Sequence, residues 1–253
     1  MKLNELECYL DENLDWSDPQ KINSLFKLLF KSYHKDKKFP YEKILNDIEQ
    51  KHSKEIAKSF KYRKDGRTLG QFALDMYNGH LMERRIAEWW FKSYGNKYFG
   101  KDLDYECVGI DDTGCILLQT NSKEDMKKPD YFIKNKNTYL EIKSNPCDWK
   151  ITTKLADMKH YKSINSYILI ACSKGKFESK GGNCSCFILI SPEQCENMIK
   201  DSVVLNDRFE VGNKPCIQFF WGLSGEERKT KIINGRLSSK ALDLTNYCEI
   251  VNV

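Results

Sequence analysis

Two short apolar runs limit what this chain can fold into: Tyr167-Ile168-Leu169-Ile170-Ala171 and Phe187-Ile188-Leu189-Ile190. Successive side chains of a strand point to opposite faces, so a strand of such residues is apolar on both. Only an inner strand of a sheet covered on both sides hides it. Two such strands call for a sheet packed between other layers, and 253 residues suffice to build one. No apolar run approaches the roughly eighteen residues that a membrane helix needs. Met1 to Asp15 is acidic and amphipathic, without the basic start and apolar centre of a signal peptide. The expectation is a cytoplasmic protein with no membrane segment.

Residues 1 to about 64 read as helical. Ile22, Leu25, Phe26, Leu29 and Phe30 recur at helical spacing, as do Ile44, Ile48 and Ile56. A basic stretch, Lys58 to Lys64, leads to a break at Asp65-Gly66. The next helix is expected from Thr68 to Tyr94, ended by Gly95-Asn96. The period then changes to that of strands. Tyr105 to Ile110 and Cys115 to Gln119 are expected to pair across Asp111-Asp112-Thr113-Gly114. Tyr131 to Ile133 and Thr138 to Ile142 flank the polar turn Lys134 to Asn137. A helix is expected over Thr152 to Ile164, ahead of the two apolar strands. Another opens at Ser191-Pro192-Glu193, with serine as cap and proline in the first position. Residues 201 to 253 mix short strands and turns. The order of elements predicts a mixed α/β core.

The ten cysteines include no Cys-x-x-Cys pair and sit in apolar strands, as in Cys184-Ser185-Cys186-Phe187. They read as reduced, buried and small, not as a zinc site or disulfide framework. The net charge of +5 favours an anionic partner only weakly. Thirty-four lysines against seven arginines, with abundant Asn and Ile, look like the bias of an AT-rich genome.

The chemistry concentrates in Pro129-Asp130-Tyr131-Phe132-Ile133 and Tyr139-Leu140-Glu141-Ile142-Lys143. A hairpin centred on Asn135-Lys136 pairs residues whose numbers sum to 271, which sets Asp130 opposite Glu141. Opposed residues project to one side of a sheet, as do residues two apart on a strand. Asp130, Glu141 and Lys143 then share a face, and Tyr131, Ile133, Leu140 and Ile142 share the other, against a helix. Two facing carboxylates repel, and a hard divalent cation such as magnesium resolves the repulsion. Such an ion polarises a phosphoryl oxygen and lowers the pKa of its water. A neighbouring lysine can hold the attacking water or neutralise charge on phosphorus. Glu83, on the preceding helix, is the candidate third carboxylate, with Glu88 the competing choice.

Pro129-Asp130 followed eleven residues on by Glu141-Ile142-Lys143 resembles the PD-(D/E)XK nuclease superfamily, of restriction-endonuclease-like fold. That family orders a helix, a three-stranded meander, a helix and a strand, and the segment from about Thr68 to Ala171 is similar to it. The resemblance implies an α/β core with a mixed central sheet flanked by helices, here over residues 65–200. A helical region (1–64) would precede it. A mixed region (201–253) would complete the core or contact DNA. It implies Asp130 and Glu141 as magnesium ligands, Lys143 as catalytic lysine and Glu83 as accessory acid. Gly79 to Glu83 matches the Gly-x-x-x-Glu form of many members. Some members carry Gln-x-x-x-Tyr on the next helix; here Tyr161 is present but Asp157 replaces the glutamine.

The implied activity is magnesium-dependent hydrolysis of DNA phosphodiesters. A type II restriction enzyme, acting as a homodimer on a palindromic duplex site, is the favoured form. A phage or repair nuclease that recognises structure is the alternative, and a non-cutting DNA-binding module of the same fold is a third reading. Lys123, Lys127 and Lys128 precede the motif in a loop suited to phosphate contacts, and Lys150, Lys154 and Lys159 follow it. Trp89 and Trp90 are expected in the core, and His80 and His160 as ordinary half-buried histidines.

Overall fold

The computed structural model describes residues 28–33, 35–36, 38–51, 69–109, 128–173, 181–205, 209 and 214–253. The chain forms two compact units, Met1–Leu81 with Gly109–Lys128, and Met82–Val108 with Pro129–Val253. In the first, residues 28–33 are largely helical and α1 spans Tyr41–Lys51. Leu29, Phe30, Ile44 and Leu45 are buried there, and the rings of Phe30 and Tyr41 meet edge to face at 5.7 Å. The strand expected at Cys115 to Gln119 and its turn lie outside the described residues.

The second unit is α/β, built on a mixed central sheet. Helix α2 (Leu69–Trp90) enters it at Met82. The helical path does not stop at Gly95-Asn96 as expected. It widens into a π-turn at Phe91–Gly95 and continues as α3 (Asn96–Phe99), ending at Gly100 with φ 94°. Glycine is needed at position 95 for packing, because a Cβ there would lie 2.6 Å from Leu103 Cδ2.

Strands β1 (Tyr105–Cys107), β2 (Tyr131–Ile133) and β3 (Thr138–Asn145) form an antiparallel meander. Then come β4 (Lys150–Lys154), α4 (Leu155–Ser163), β5 (Ser166–Ser173) and β6 (Cys184–Ile190). After them follow α5 (Pro192–Asp201), β7 (Cys216–Phe220), α6 (Gly225–Ile233), β8 (Leu242–Asp243) and β9 (Ile250–Asn252). The central sheet runs β1-β2-β3-β5-β6-β9, with β3 and β5 parallel and the other neighbours antiparallel. A smaller sheet has the order β4-β7-β8. The C-terminal residues thus supply β9 to the central sheet and two of the three strands of the second.

The expected helix from Thr152 begins at Leu155 instead. Ile151, Thr152 and Thr153 are β-branched, which favours extended backbone, and they pair with Phe219, Gln218 and Ile217. Helix α5 starts as its sequence predicts. Ser191 Oγ accepts from Gln194 N–H, Gln194 Oε1 accepts from Ser191 N–H, and Pro192 opens the first turn.

Both faces of the central sheet are covered, as the apolar runs require. On one, Ile86, Trp90 and Phe99 pack with Tyr131, Ile133, Leu140, Ile142, Leu169 and Phe187. On the other, Met158, Cys195 and Met198 pack with Ile168, Ile170, Ile188, Ile190 and Phe219. Each large aliphatic side chain fully buried this way contributes about 1.5–3 kcal/mol. Trp89 and Trp90 are core residues. The described cysteines are free thiols, six of them buried. Burial pushes Cys184 and Cys195 up to about 11 and Cys248 up to about 12, so all three stay protonated at neutral pH. No described helix is long and apolar enough to cross a membrane.

Candidate active site

The β2–β3 hairpin fixes the site. Tyr131 pairs with Leu140, Phe132 with Tyr139 and Ile133 with Thr138, and Asn137 closes the turn in the left-handed region at φ 48°. In this register Asp130, one residue before β2, lies level with Glu141. Its Oδ2 accepts the Ile142 N–H at 2.6 Å, which ties the motif aspartate to β3. Leu140 and Ile142 enter the cluster beneath α2. Glu141 and Lys143, level with Ile168 and Ile170 of β5, project to the opposite face, the side of α4.

Helix α4 brings in a residue that the motif did not include. Tyr161 Oη donates to Glu141 Oε1 at 2.7 Å, and Lys143 Nζ donates to the same oxygen. The ammonium also stands 5.7 Å from the centre of the Tyr161 ring. Glu141 is 5% exposed, whereas the Lys143 side chain is 41% exposed. One end of this cluster is held in the protein and the other meets solvent. Sequence reasoning saw Tyr161 only as half of an incomplete pair. The signal available was its spacing: three residues after buried Met158, it shares the helix face that packs on the sheet.

Asp130 holds its proton well above the usual carboxylate range. Burial is the main cause, the charges of Glu141 and Glu83 add to it, and the Ile142 hydrogen bond and Lys143 oppose it. Burial alone would lower Lys143, but attraction to Glu141, with smaller contributions from Tyr161 and Asp130, carries it above the ordinary lysine value. Tyr161 is raised by burial and by Glu141, so its hydroxyl remains a donor. Glu83 is half-buried on α2 and acts on Asp130 through its charge, whereas Glu88 is exposed.

Two carboxylates level across the hairpin are donors of the type that a hard divalent cation takes. Asp130 Oδ1 and Glu141 Oε2 carry no hydrogen bond among the described residues. Magnesium is commonly bound through one or two carboxylates while keeping several waters. Among the described residues no three of His, Cys, Asp and Glu gather closely enough to share an ion.

Of the expected phosphate contacts, Lys123 and Lys127 lie outside the described residues and Lys128 is exposed. Lys154 is half-exposed at the end of β4, immediately before α4, and Lys159 is exposed on α4 itself. The His160 ring lies 5.7 Å from that of Tyr161. No family model, curated protein or solved structure matches the chain.

Proposed function

We propose that the chain is a magnesium-dependent endonuclease that hydrolyses DNA phosphodiesters. The observation that carries this reading is the hairpin register, which sets Asp130 level with Glu141 and puts Lys143 beside them. Burial and, after it, repulsion from Glu141 raise Asp130, and a cation seated between the two acids would relieve the repulsion. Asp130 and Glu141 would hold magnesium, which when bound supplies Lewis acidity to the phosphoryl oxygen and the attacking water. Lys143 stays charged and reaches solvent, so it can donate to a phosphate oxygen as negative charge builds there. Tyr161 holds the Glu141 carboxylate in one orientation. Glu83 adds negative charge near Asp130 and favours cation uptake.

By its resemblance the chain is read as a restriction-endonuclease-like type II enzyme, a homodimer cutting a duplex site. The test is incubation of genomic and plasmid DNA with the protein and magnesium, followed by sequencing of the ends. Discrete fragments with one shared end sequence are expected, and chelator or Glu141→Ala should abolish them without unfolding the protein. Cleavage confined to junctions or flaps would favour a structure-specific nuclease. Normal cutting by Glu141→Ala would overturn the assignment of the site.

One observation favours the non-cutting DNA-binding reading: Glu141 Oε1, Lys143 and Tyr161 satisfy one another without an ion. Magnesium titration separates the two readings, because a binding module would take up no metal at Asp130.

A further inference from the structure

Three cations stand over two aromatic rings in the second unit. Lys150 Nζ lies 5.2 Å and Lys231 Nζ 4.8 Å from the centre of the Trp149 ring, and the Arg228 guanidinium lies 4.8 Å from that of Phe220. The exposed Arg236 is tied to them through its backbone: its carbonyl accepts from Lys150 Nζ at 2.8 Å and its N–H donates to the Lys231 carbonyl at 2.9 Å. They come from three segments: the start of β4, one face of α6 where Arg228 and Lys231 are three residues apart, and the turn after α6.

Like charges repel, and Lys231 is offset in part by Glu227, four residues earlier on α6. Among the described residues none of the four lies within ion-pair distance of a carboxylate. The Glu227 carboxylate also serves the start of α6, where its Oε2 accepts the Ser224 N–H at 2.8 Å. Arg228 Nε is buried with no hydrogen-bond partner. The lysine bias of the chain does not account for the cluster, since two of its seven arginines are in it. Trp149 has its ring taken up by two ammonium groups, so the patch suits phosphates better than stacked bases.

The patch is also fixed with respect to β3. Asn145, the last residue of β3, donates through Nδ2 to the carbonyls of Cys147 at 2.6 Å and Lys150 at 2.9 Å. Seven residues separate Lys143 from Lys150, so the two lie at most about 25 Å apart. At 3.4 Å per base step, that is within about seven steps of DNA.

We infer that Trp149, Lys150, Arg228, Lys231 and Arg236 form a backbone-phosphate site that grips DNA a few nucleotides from the bond to be cut. The inference rests on the proposed reading of the chain as a DNA-cleaving enzyme. The site is independent of base sequence and is read out by salt. Each phosphate contact removed flattens the dependence of log affinity on log salt by about 0.9.

The experiment measures fluorescence anisotropy of a labelled duplex in chelator, from 50 to 200 mM salt, with the full chain. The double variant Lys231→Ala, Arg236→Ala should show a slope shallower by about 1.8 and an affinity at least tenfold weaker at low salt, equally on unrelated sequences. Lys231→Arg, Arg236→Lys should restore the slope, and Lys200→Ala, whose lysine pairs with Glu196, should leave it unchanged. A wild-type slope in the alanine variant would overturn the phosphate site and leave the nuclease reading standing. Loss of slope in a chain that takes up no magnesium and cuts nothing would support the site and end the nuclease reading. Absence of any duplex binding by the wild-type chain would end both.

Discussion

Tyr161 and Glu141 are joined by a hydrogen bond of 2.7 Å, although one lies on a helix and the other on a strand twenty residues earlier. The acceptor is the oxygen that also receives Lys143. A charge-assisted bond of this kind is worth about 1.5–3 kcal/mol. Tyr161→Phe keeps the ring and removes the bond. The variant is expected to fold, to require a higher magnesium concentration for half-maximal cleavage and to cut about tenfold more slowly. A magnesium titration of the cleavage rate checks it, and an unchanged midpoint and rate would show that the tyrosine does not position Glu141.

Asp130 gives a prediction whose sign follows from its raised pKa. The folded chain holds this proton more tightly than the unfolded chain does. Stability is therefore greatest below the ordinary aspartate value. It falls as pH rises from there through the raised folded value, and the penalty is complete above it. Asp130→Asn removes the penalty, and the amide oxygen can still accept from Ile142. In chelator at pH 7 the variant should melt no lower than the parent, and its excess stability should vanish in acid. Added magnesium should raise the melting temperature of the parent and not of the variant. Thermal unfolding over pH 4–8, with and without the metal, decides it.

Lys143 remains charged through the working range, since its ammonium is held above the ordinary lysine value. No alkaline fall in cleavage from this group is expected below about pH 10. Lys143→Ala should lower the rate by about a hundredfold or more, as loss of a donor to transition-state charge does. A rate profile falling near pH 8 in the parent but not in Lys143→Arg would contradict this.

Ile142 is fully buried on the opposite side of the strand that carries Glu141 and Lys143. Ile142→Ala should cost about 2–5 kcal/mol in a urea titration, the range for deleting a buried aliphatic side chain. A loss under 1 kcal/mol would mean that the hairpin is not anchored through this residue.

The thiols offer a check on the core. Cys195 and Cys248 are buried and pushed up to about 11 and about 12. Neither should react with iodoacetamide in the native chain at pH 7.5, and both should react in urea. Labelling of either in the folded chain, followed by peptide mass analysis, would place it outside the core.

The features legible in the sequence were those encoded by nearby residues. The Lys134–Asn137 turn sets the register of β2 and β3, and Ser191, Pro192 and Gln194 announce the start of α5. The apolar runs at Tyr167 and Phe187 required cover on both sides, and the two clusters provide it. Features that depend on distant partners were not legible. Ile151 to Thr153 are extended because they pair with β7, more than sixty residues later, and no local period signals that. Gly95 looks like a helix stop but serves close packing against Leu103. In the site, alternation along β3 separated Glu141 and Lys143 from Leu140 and Ile142. The hydrogen bond from Tyr161 depends on how α4 crosses the sheet, which a one-dimensional pattern does not carry.

The parallel pairing of β3 with β5 has a consequence for biosynthesis. Parallel neighbours need a return path, and here that path is β4 and α4. A nascent chain released from the ribosome only as far as Asn145 would already contain Asp130, Glu141 and Lys143, yet lack the tyrosine and the strand that hold them in place. The acidic pair would acquire its final surroundings only after Ser173 had emerged. The hydrogen bond from Tyr161 to Glu141 therefore forms only after about two thirds of the 253 residues have been translated.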